Sequence, residues 1–272
     1  MSIGCRGALA ILRHMPAMGG WIAVVLAGAG AWAQSQPASP ASPWQLTIGG
    51  GMLVHPTYEG SNNYHVDPWP VFDLNWNDRV SISTLDGIHL SAIKWGDFRL
   101  GVAGNLRFGR QPHDDRGLNH LPRIKDNLEL GGFVEYNPPG IDILFEVRNN
   151  ILGEDGGTIA ELEAHLQLQP TDRWGIEFGP NLSWADGQFM RRYFGIDTIH
   201  APLSGYPAYH PGAGFKSVGL FLGSEYKLTE HWLLIGNATY SRLLGPASRS
   251  PLVKNAGDAN QIELGLFLAY RF

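Results

Sequence analysis

Charged side chains recur at every second position through much of this chain, and that spacing bounds the chemistry they can do. Glu129, Glu135, Asp142, Glu146, Glu161, Glu163, Glu177, Glu225 and Glu263 share one set of alternating positions with Arg99, Arg107, Arg148, Arg173 and Arg271. Charges gathered on one face of a sheet that encloses a lumen have two uses. They line a cation-preferring pore, or they fill a narrow interior as an ion-pair network. Pairing the segments through their short turns puts Arg148 between Glu129 and Glu161. With Glu163 and Glu177 these form the candidate lumen network.

Other chemistries find less support. A hydrolase needs Ser, His and an orienting group within hydrogen-bond reach. His165 and Ser183 are the inward pair on neighbouring segments, and a hairpin through Pro170 to Asp172 places His165 opposite Glu177 and Ser183 opposite Ile159. At ~3.3 Å per residue that offset is about 20 Å, and no G-x-S-x-G motif is present. The chain therefore reads as no enzyme, with no cofactor. His55, His65, His113 beside Asp114 and Asp115, His200 and His210 have neither i, i+4 spacing nor a Cys partner, so no metal is expected. The stretch 186–213 is dense in aromatics. Tyr193, Phe194, Tyr206 and Tyr209, with Phe189 and the pair Arg191-Arg192, make either an interaction loop or a lid that packs on its own rim.

Composition limits what can position these groups. The chain has 272 residues, 17% charged and 44% hydrophobic, with 35 Gly and one Cys. Gly stands well above the ordinary ~7%, which calls for many tight turns or close backbone approaches. This hydrophobic content excludes a disordered chain and a polytopic helical membrane protein. A net charge of −5 without a basic block makes nucleic acid an unfit partner. Residues 1–33 read as a cleaved signal peptide: Arg6, Arg13 and His14 precede an apolar run that ends in Ala31-Trp32-Ala33. Residues 34–43 follow as a Ser/Pro/Ala linker. Cleavage removes two Arg, leaving 18 Lys+Arg against 25 Asp+Glu, and it also removes Cys5. A thiol-free exported chain suits an oxidising compartment.

From residue 44 to 272 the dominant period is two. Ile262, Leu264, Leu266, Leu268, Tyr270 and Phe272 hold the even positions, against Gln261, Glu263, Gly265, Phe267, Ala269 and Arg271. The pattern predicts strands near 44–54, 68–76, 79–84, 86–93, 97–108, 127–137, 140–150, 158–168, 173–185, 214–226, 231–242 and 261–272. No segment shows a helical period.

Alternation alone does not say which face is inside. Three features select a transmembrane antiparallel β-barrel of about twelve strands, of the outer-membrane type, over a soluble sandwich. Connections alternate between long (55–67, 109–126, 186–213, 243–260) and short (Asn77-Asp78, Lys94 to Gly96, Pro138-Pro139, Pro170 to Asp172, Lys227 to Glu230), with a short exception near Leu85. Trp44, Trp76, Trp95, Trp174 and Trp232 fall at the strand ends beside the short turns, as an interfacial girdle requires. Tyr270 and Phe272 close the chain as the insertion signal expected to be read by the barrel insertion machinery, which would place the barrel in outer-membrane lipid.

The chain also carries an ordered set of short motifs. They include Pro56-Thr57-Tyr58-Glu59-Gly60-Ser61, Leu130-Gly131-Gly132-Phe133-Val134-Glu135-Tyr136, Ser183-Trp184-Ala185-Asp186 and Tyr193-Phe194-Gly195-Ile196. Tyr240-Ser241-Arg242-Leu243-Leu244-Gly245, Ser250-Pro251-Leu252-Val253 and the closing Tyr270-Arg271-Phe272 are the most specific. In this order the chain resembles the MipA/OmpV family of outer-membrane proteins. The resemblance implies a Gram-negative outer-membrane location and a scaffolding role linking a lytic transglycosylase to a penicillin-binding protein. Other members are associated with adhesion and with responses to salt or antibiotics. A narrow diffusion channel and an adhesin acting through the outer loops stay open beside the scaffold. Where relatives carry acidic residues after Leu-Leu-Gly, this chain has Pro246-Ala247-Ser248-Arg249.

Overall fold

A computed structural model describes residues 43–152 and 156–272, so the signal segment 1–33 and nearly all of the linker 34–43 lie outside the described residues. The strands are β1 (Trp44–Pro56), β2 (Tyr64–Trp76), β3 (Val80–Ser83), β4 (Gly87–Trp95), β5 (Phe98–Arg107), β6 (Asn127–Tyr136), β7 (Ile141–Asn150), β8 (Thr158–Thr171), β9 (Trp174–Ala185), β10 (Gly214–Lys227), β11 (Trp232–Leu243) and β12 (Asn260–Arg271). Each pairs antiparallel with its neighbour in sequence, and β1 pairs with β12, closing a twelve-stranded barrel.

Burial decides the orientation of the faces. On β12, Leu266 is 60% exposed while the adjacent Phe267 is 1% exposed. The alternating apolar face thus points outward, which water would penalise and lipid accepts. Trp44 and Trp76 stack with ring centroids 5.4 Å apart at the short-turn end, and Trp95 is almost fully exposed there. That end is closed by tight turns. Asn77 and Asp78 both have positive φ, 47° and 54°, the conformation that a two-residue hairpin turn demands.

The strand edges depart from expectation in informative ways. β2 starts at Tyr64, not 68, because Pro68 and Pro70 lie within a ladder that runs on to Pro56↔Tyr64. The first outer loop shrinks accordingly. β8 continues through Pro170 to Thr171, which centres the hairpin one residue later than Pro170–Asp172 suggested and so moves each partner by two. Ser183 therefore pairs with Glu161, not Ile159, and Gln167 faces Glu177.

The absence of helices is also corrected. The long outer loops carry α1 (Gly187–Phe194), α2 (Ala201–Ser204), α3 (Gly245–Ser248) and α4 (Pro251–Ala256), with a 3-10 turn at Arg116–Leu118. Asp186 caps α1 by accepting from Phe189 N at 2.8 Å, and Phe189, Met190, Tyr193 and Phe194 form its buried face. That is an amphipathic helix whose two turns are too short to register as a period beside twelve strands.

Candidate functional site

The interior of the barrel divides into a charged wall and an apolar wall. On the charged wall, Arg148 of β7 donates from Nε to Glu129 Oε2 at 3.3 Å and also pairs with Glu146 and Glu161. Arg107 pairs with Glu129 from the other side. His89 of β4 bonds Glu146 of β7 past two intervening strands. Every member except Glu161 is at most 8% exposed. Charges so buried are tolerated because each carboxylate faces a cation and hydrogen bonds fill its lone pairs.

The remaining lumen candidates sit apart from that cluster. Glu177 is fully buried and accepts a 2.8 Å bond from His165 Nδ1, with the His165 ring 5.1 Å from that of Phe221. Glu163 lines a small cavity of about 90 Å³ with Glu161, Ser183 and Lys216. Ser183 shares a 2.7 Å hydrogen bond with Ser217. With Ser183 paired to Glu161 it stands four residues from the His165 level, about 13 Å along the strand. Histidine and serine remain separate.

The apolar wall lies across β1, β2, β11 and β12. Leu53, Val71, Leu233, Ile235, Phe267 and Ala269 point inward with Leu85 from the tip of the β3–β4 hairpin, all at most 3% exposed. Gly51 makes room for this wall. A Cβ there would lie 2.0 Å from Leu266 O and 2.7 Å from the Phe267 ring. The alternating face of β11 and β12 thus holds large apolar side chains on both sides, a feature concealed by reading polarity from neighbouring strands.

Over the top, the outer loops form a lid. Phe189, Met190, Tyr193 and Phe194 pack with Ile124, Ile159, Leu243 and Val253. Tyr58, Leu118, Leu121, Ile196 and Leu252 form a second layer, with Tyr206 and Tyr209 at its margin. Of the proposed interaction-loop aromatics, Tyr193 and Phe194 are buried in the lid. Tyr206 and Tyr209 are half-buried and donate to Gly117 O at 3.2 Å and Pro246 O at 2.8 Å. Arg107 couples lid to lumen, its guanidinium 4.9 Å above the Phe189 ring.

Polar ties hold the loops to each other. Asp115 accepts from Thr57 Oγ1 at 2.6 Å, Ser61 Oγ at 3.1 Å, Asn63 Nδ2 at 3.0 Å and Gly117 N at 2.7 Å. Burial works against its charge, but these donors outweigh it and hold its carboxyl below the usual range. Glu59 pairs with Lys216 of β10; burial pushes its carboxyl up, but the Lys216 ammonium, the nearby Arg107 and the hydrogen bond from Lys216 together outweigh that and keep it low. Among these loops, a cavity of about 900 Å³ is lined by Arg110, Arg123, Lys125, Arg191 and Arg192 together with Asp126 and Asp197. Among the described residues, no group of three or more His, Cys, Asp or Glu could hold a metal ion. His89 was not among the sequence candidates, although the alternation of β4 could have found it; Glu146 was read on the charged face without its partners, and Asp115 only beside His113, because loop contacts leave no such signal.

At the level of coarse shape, a NanC porin covers 83% of this chain at 7% identity and a TM-score of 0.44. OmpT of Vibrio cholerae covers 84% at 9% identity and a TM-score of 0.39. The MltA-interacting proteins of Escherichia coli K12 and Shigella flexneri are each 22% identical over 217 residues, covering 77% of this chain and 84% of theirs. A family profile described as MltA-interacting protein MipA matches residues 48–272, from the first strand through Phe272. With that match running along the barrel strands and the lid loops alike, the chain belongs to the MipA family of outer-membrane β-barrels.

Proposed function

We propose that this protein is a non-enzymatic outer-membrane scaffold in murein turnover, exported through a signal peptide of residues 1–33 that is cleaved after Ala33. Its relatives are named for interaction with MltA, and the partner class proposed here is a lytic transglycosylase, joined through the scaffold to a penicillin-binding protein. The observation that carries the reading is the filled interior. Phe267 is 1%, Arg148 4% and Phe194 0% exposed, so side chains occupy the lumen from the apolar wall to the lid. A channel spends its interior on water; this barrel spends it on packing and ion pairs. On the periplasmic side the turns are short, which leaves the turns and the linker 34–43 as the surface offered to a partner.

The test combines two measurements on the purified protein. Reconstituted in planar bilayers it should give no steady single-channel current. Immobilised, it should retain a lytic transglycosylase from a periplasmic extract and lose it when residues 34–43 are deleted. Steady cation-selective current, reduced by Glu161→Gln with Glu163→Gln, would replace the scaffold with a narrow diffusion channel.

A further inference from the structure

The barrel wall is interrupted between β2 and β5. β3 pairs with only Asp73–Trp76 of β2, and the β3–β4 hairpin turns at Leu85. Above that, Thr84 N donates to Phe72 O at 3.0 Å and Thr84 Oγ1 to Pro70 O at 2.9 Å, and strand pairing stops. Residues 64–69 of β2 face no strand on that side among the described residues. The edge is built to stay unpaired. Phe72 turns both its N–H and C=O toward β3, so Pro70 and Pro68, at alternate positions, turn their backbones the same way. Their rings remove the donors that an added strand would use.

The notch is flanked by exposed apolar side chains. Val66 is 57% exposed on one flank, and Leu106 and Phe108 are 61% and 45% exposed on the other. Across the gap, Trp69 meets Phe108 edge to face with centroids 5.6 Å apart. Behind these rings lies a cavity of about 380 Å³, reached by Tyr58, Glu59, Asp67, Arg107 and Arg110. Its size lies within the range of small-ligand sites.

Most charges around that cavity have a partner of opposite sign, but Arg110 has none in direct contact among the described residues. Arg107 pairs with Glu129, Glu59 with Lys216, and Asp67 with His55 at 2.9 Å. Asp114 lines the mouth and accepts from Gln111 N at 2.7 Å. Arg110 is 9% exposed, its Nε has no hydrogen-bond partner, and no salt bridge joins it to a carboxylate among the described residues. Its guanidinium rests 5.7 Å from the Tyr58 ring centroid. A buried cation without a salt-bridged carboxylate is costly, and a ligand oxyanion in direct contact would offset that cost.

We propose that the notch between β2 and β5 is a lateral port for an anionic amphiphile, whose carboxylate or phosphate pairs with Arg110 while its apolar tail passes between Trp69 and Phe108 into the lipid. Arg suits this role because its planar fork grips either oxyanion in two places. The hinged element is the ring pair, since no backbone hydrogen bonds need to break for the tail to pass.

The test uses the purified protein in lipid nanodiscs, with dodecanoate, dodecyl phosphate and inorganic phosphate as separate probes. Both amphiphiles should bind saturably, and inorganic phosphate should bind at least about tenfold more weakly. Preference between the two amphiphiles identifies the head group. Arg110→Gln should weaken amphiphile binding about tenfold, and Arg110→Lys less. Trp69→Ala should speed amphiphile exchange. Wild-type binding by a folded Arg110→Gln protein would overturn the proposal, as would inorganic phosphate binding as tightly as the amphiphiles, which marks a water-facing anion site. Should Arg110→Gln fail to fold, unchanged dodecanoate exchange in Trp69→Ala would overturn the port by itself.

Discussion

Arg148 Nε lies 3.3 Å from Glu129 Oε2 inside the barrel, and the same guanidinium also pairs with Glu146 and Glu161. One cation thus satisfies carboxylates from β6, β7 and β8, and Arg107 shares Glu129 with it. The cluster works as a cross-strand brace between neighbouring walls of the lumen. Its worth lies in completeness, because each buried charge is tolerable only while its partners remain.

Arg148→Met should therefore destabilise the barrel by about 3–5 kcal/mol, since it strands several buried carboxylates at once. Urea unfolding in lipid vesicles reads this directly. Adding Glu146→Gln and Glu161→Gln should recover part of the loss, because neutral amides are cheaper to bury unpaired. A single Arg148→Met without measurable loss would remove the brace from the account of stability.

The lid should be separable from the barrel. Phe194 is fully buried, and its backbone carbonyl accepts from Ser250 Oγ at 2.7 Å, tying α1 to the turn before α4. Phe194→Ala should cost about 3–5 kcal/mol of lid packing. Limited proteolysis should then cut within 186–213 while the strands stay intact and heat-resistant on a gel.

Acid should loosen the tie between the first and third outer loops. The Asp115 carboxyl is held below its usual range in the folded protein, so the stabilisation it gives is complete above the unfolded value near 3.9. It is lost as pH falls below that toward the folded value. Hydrogen exchange at Gly117, corrected for intrinsic rate, should stay slow at pH 5 and accelerate below about pH 4. In Asp115→Asn the exchange should be faster at pH 5 and show little further change on acidification.

The barrel was legible because its signal is repeated: the same two-residue period in β12, β9, β8 and β7 predicts strands whose outward apolar face is confirmed by Leu266 beside Phe267. Strand number followed from turns such as Asn77-Asp78. Register was less legible, since Pro170 reads as a break but sits in β8. A two-residue shift in one hairpin leaves every side chain on its own face while changing every partner. The lid was hidden for a different reason. Its contacts join residues as distant as Tyr58 and Leu252, and α1 offers only two turns of pattern. The apolar wall was hidden by an assumption that lumen faces are polar, which Leu233, Ile235 and Phe267 break.

Phe272 bears on assembly rather than on stability. Phe272 is 69% exposed and touches Tyr270 edge to face at 4.9 Å, and its backbone N donates to Leu46 O at 2.9 Å. The backbone bond survives any substitution, and an exposed ring at the lipid interface contributes little to the folded core. Phe272→Ser should therefore change urea stability in vesicles by less than about 1 kcal/mol. In cells it should lower the amount of barrel in the outer membrane severalfold, because the Phe272 ring, two residues after Tyr270, is the feature proposed to be read during insertion. Equal loss of stability in vitro and of abundance in cells would assign Phe272 to the fold itself. Normal abundance would remove Phe272 as a recognition element.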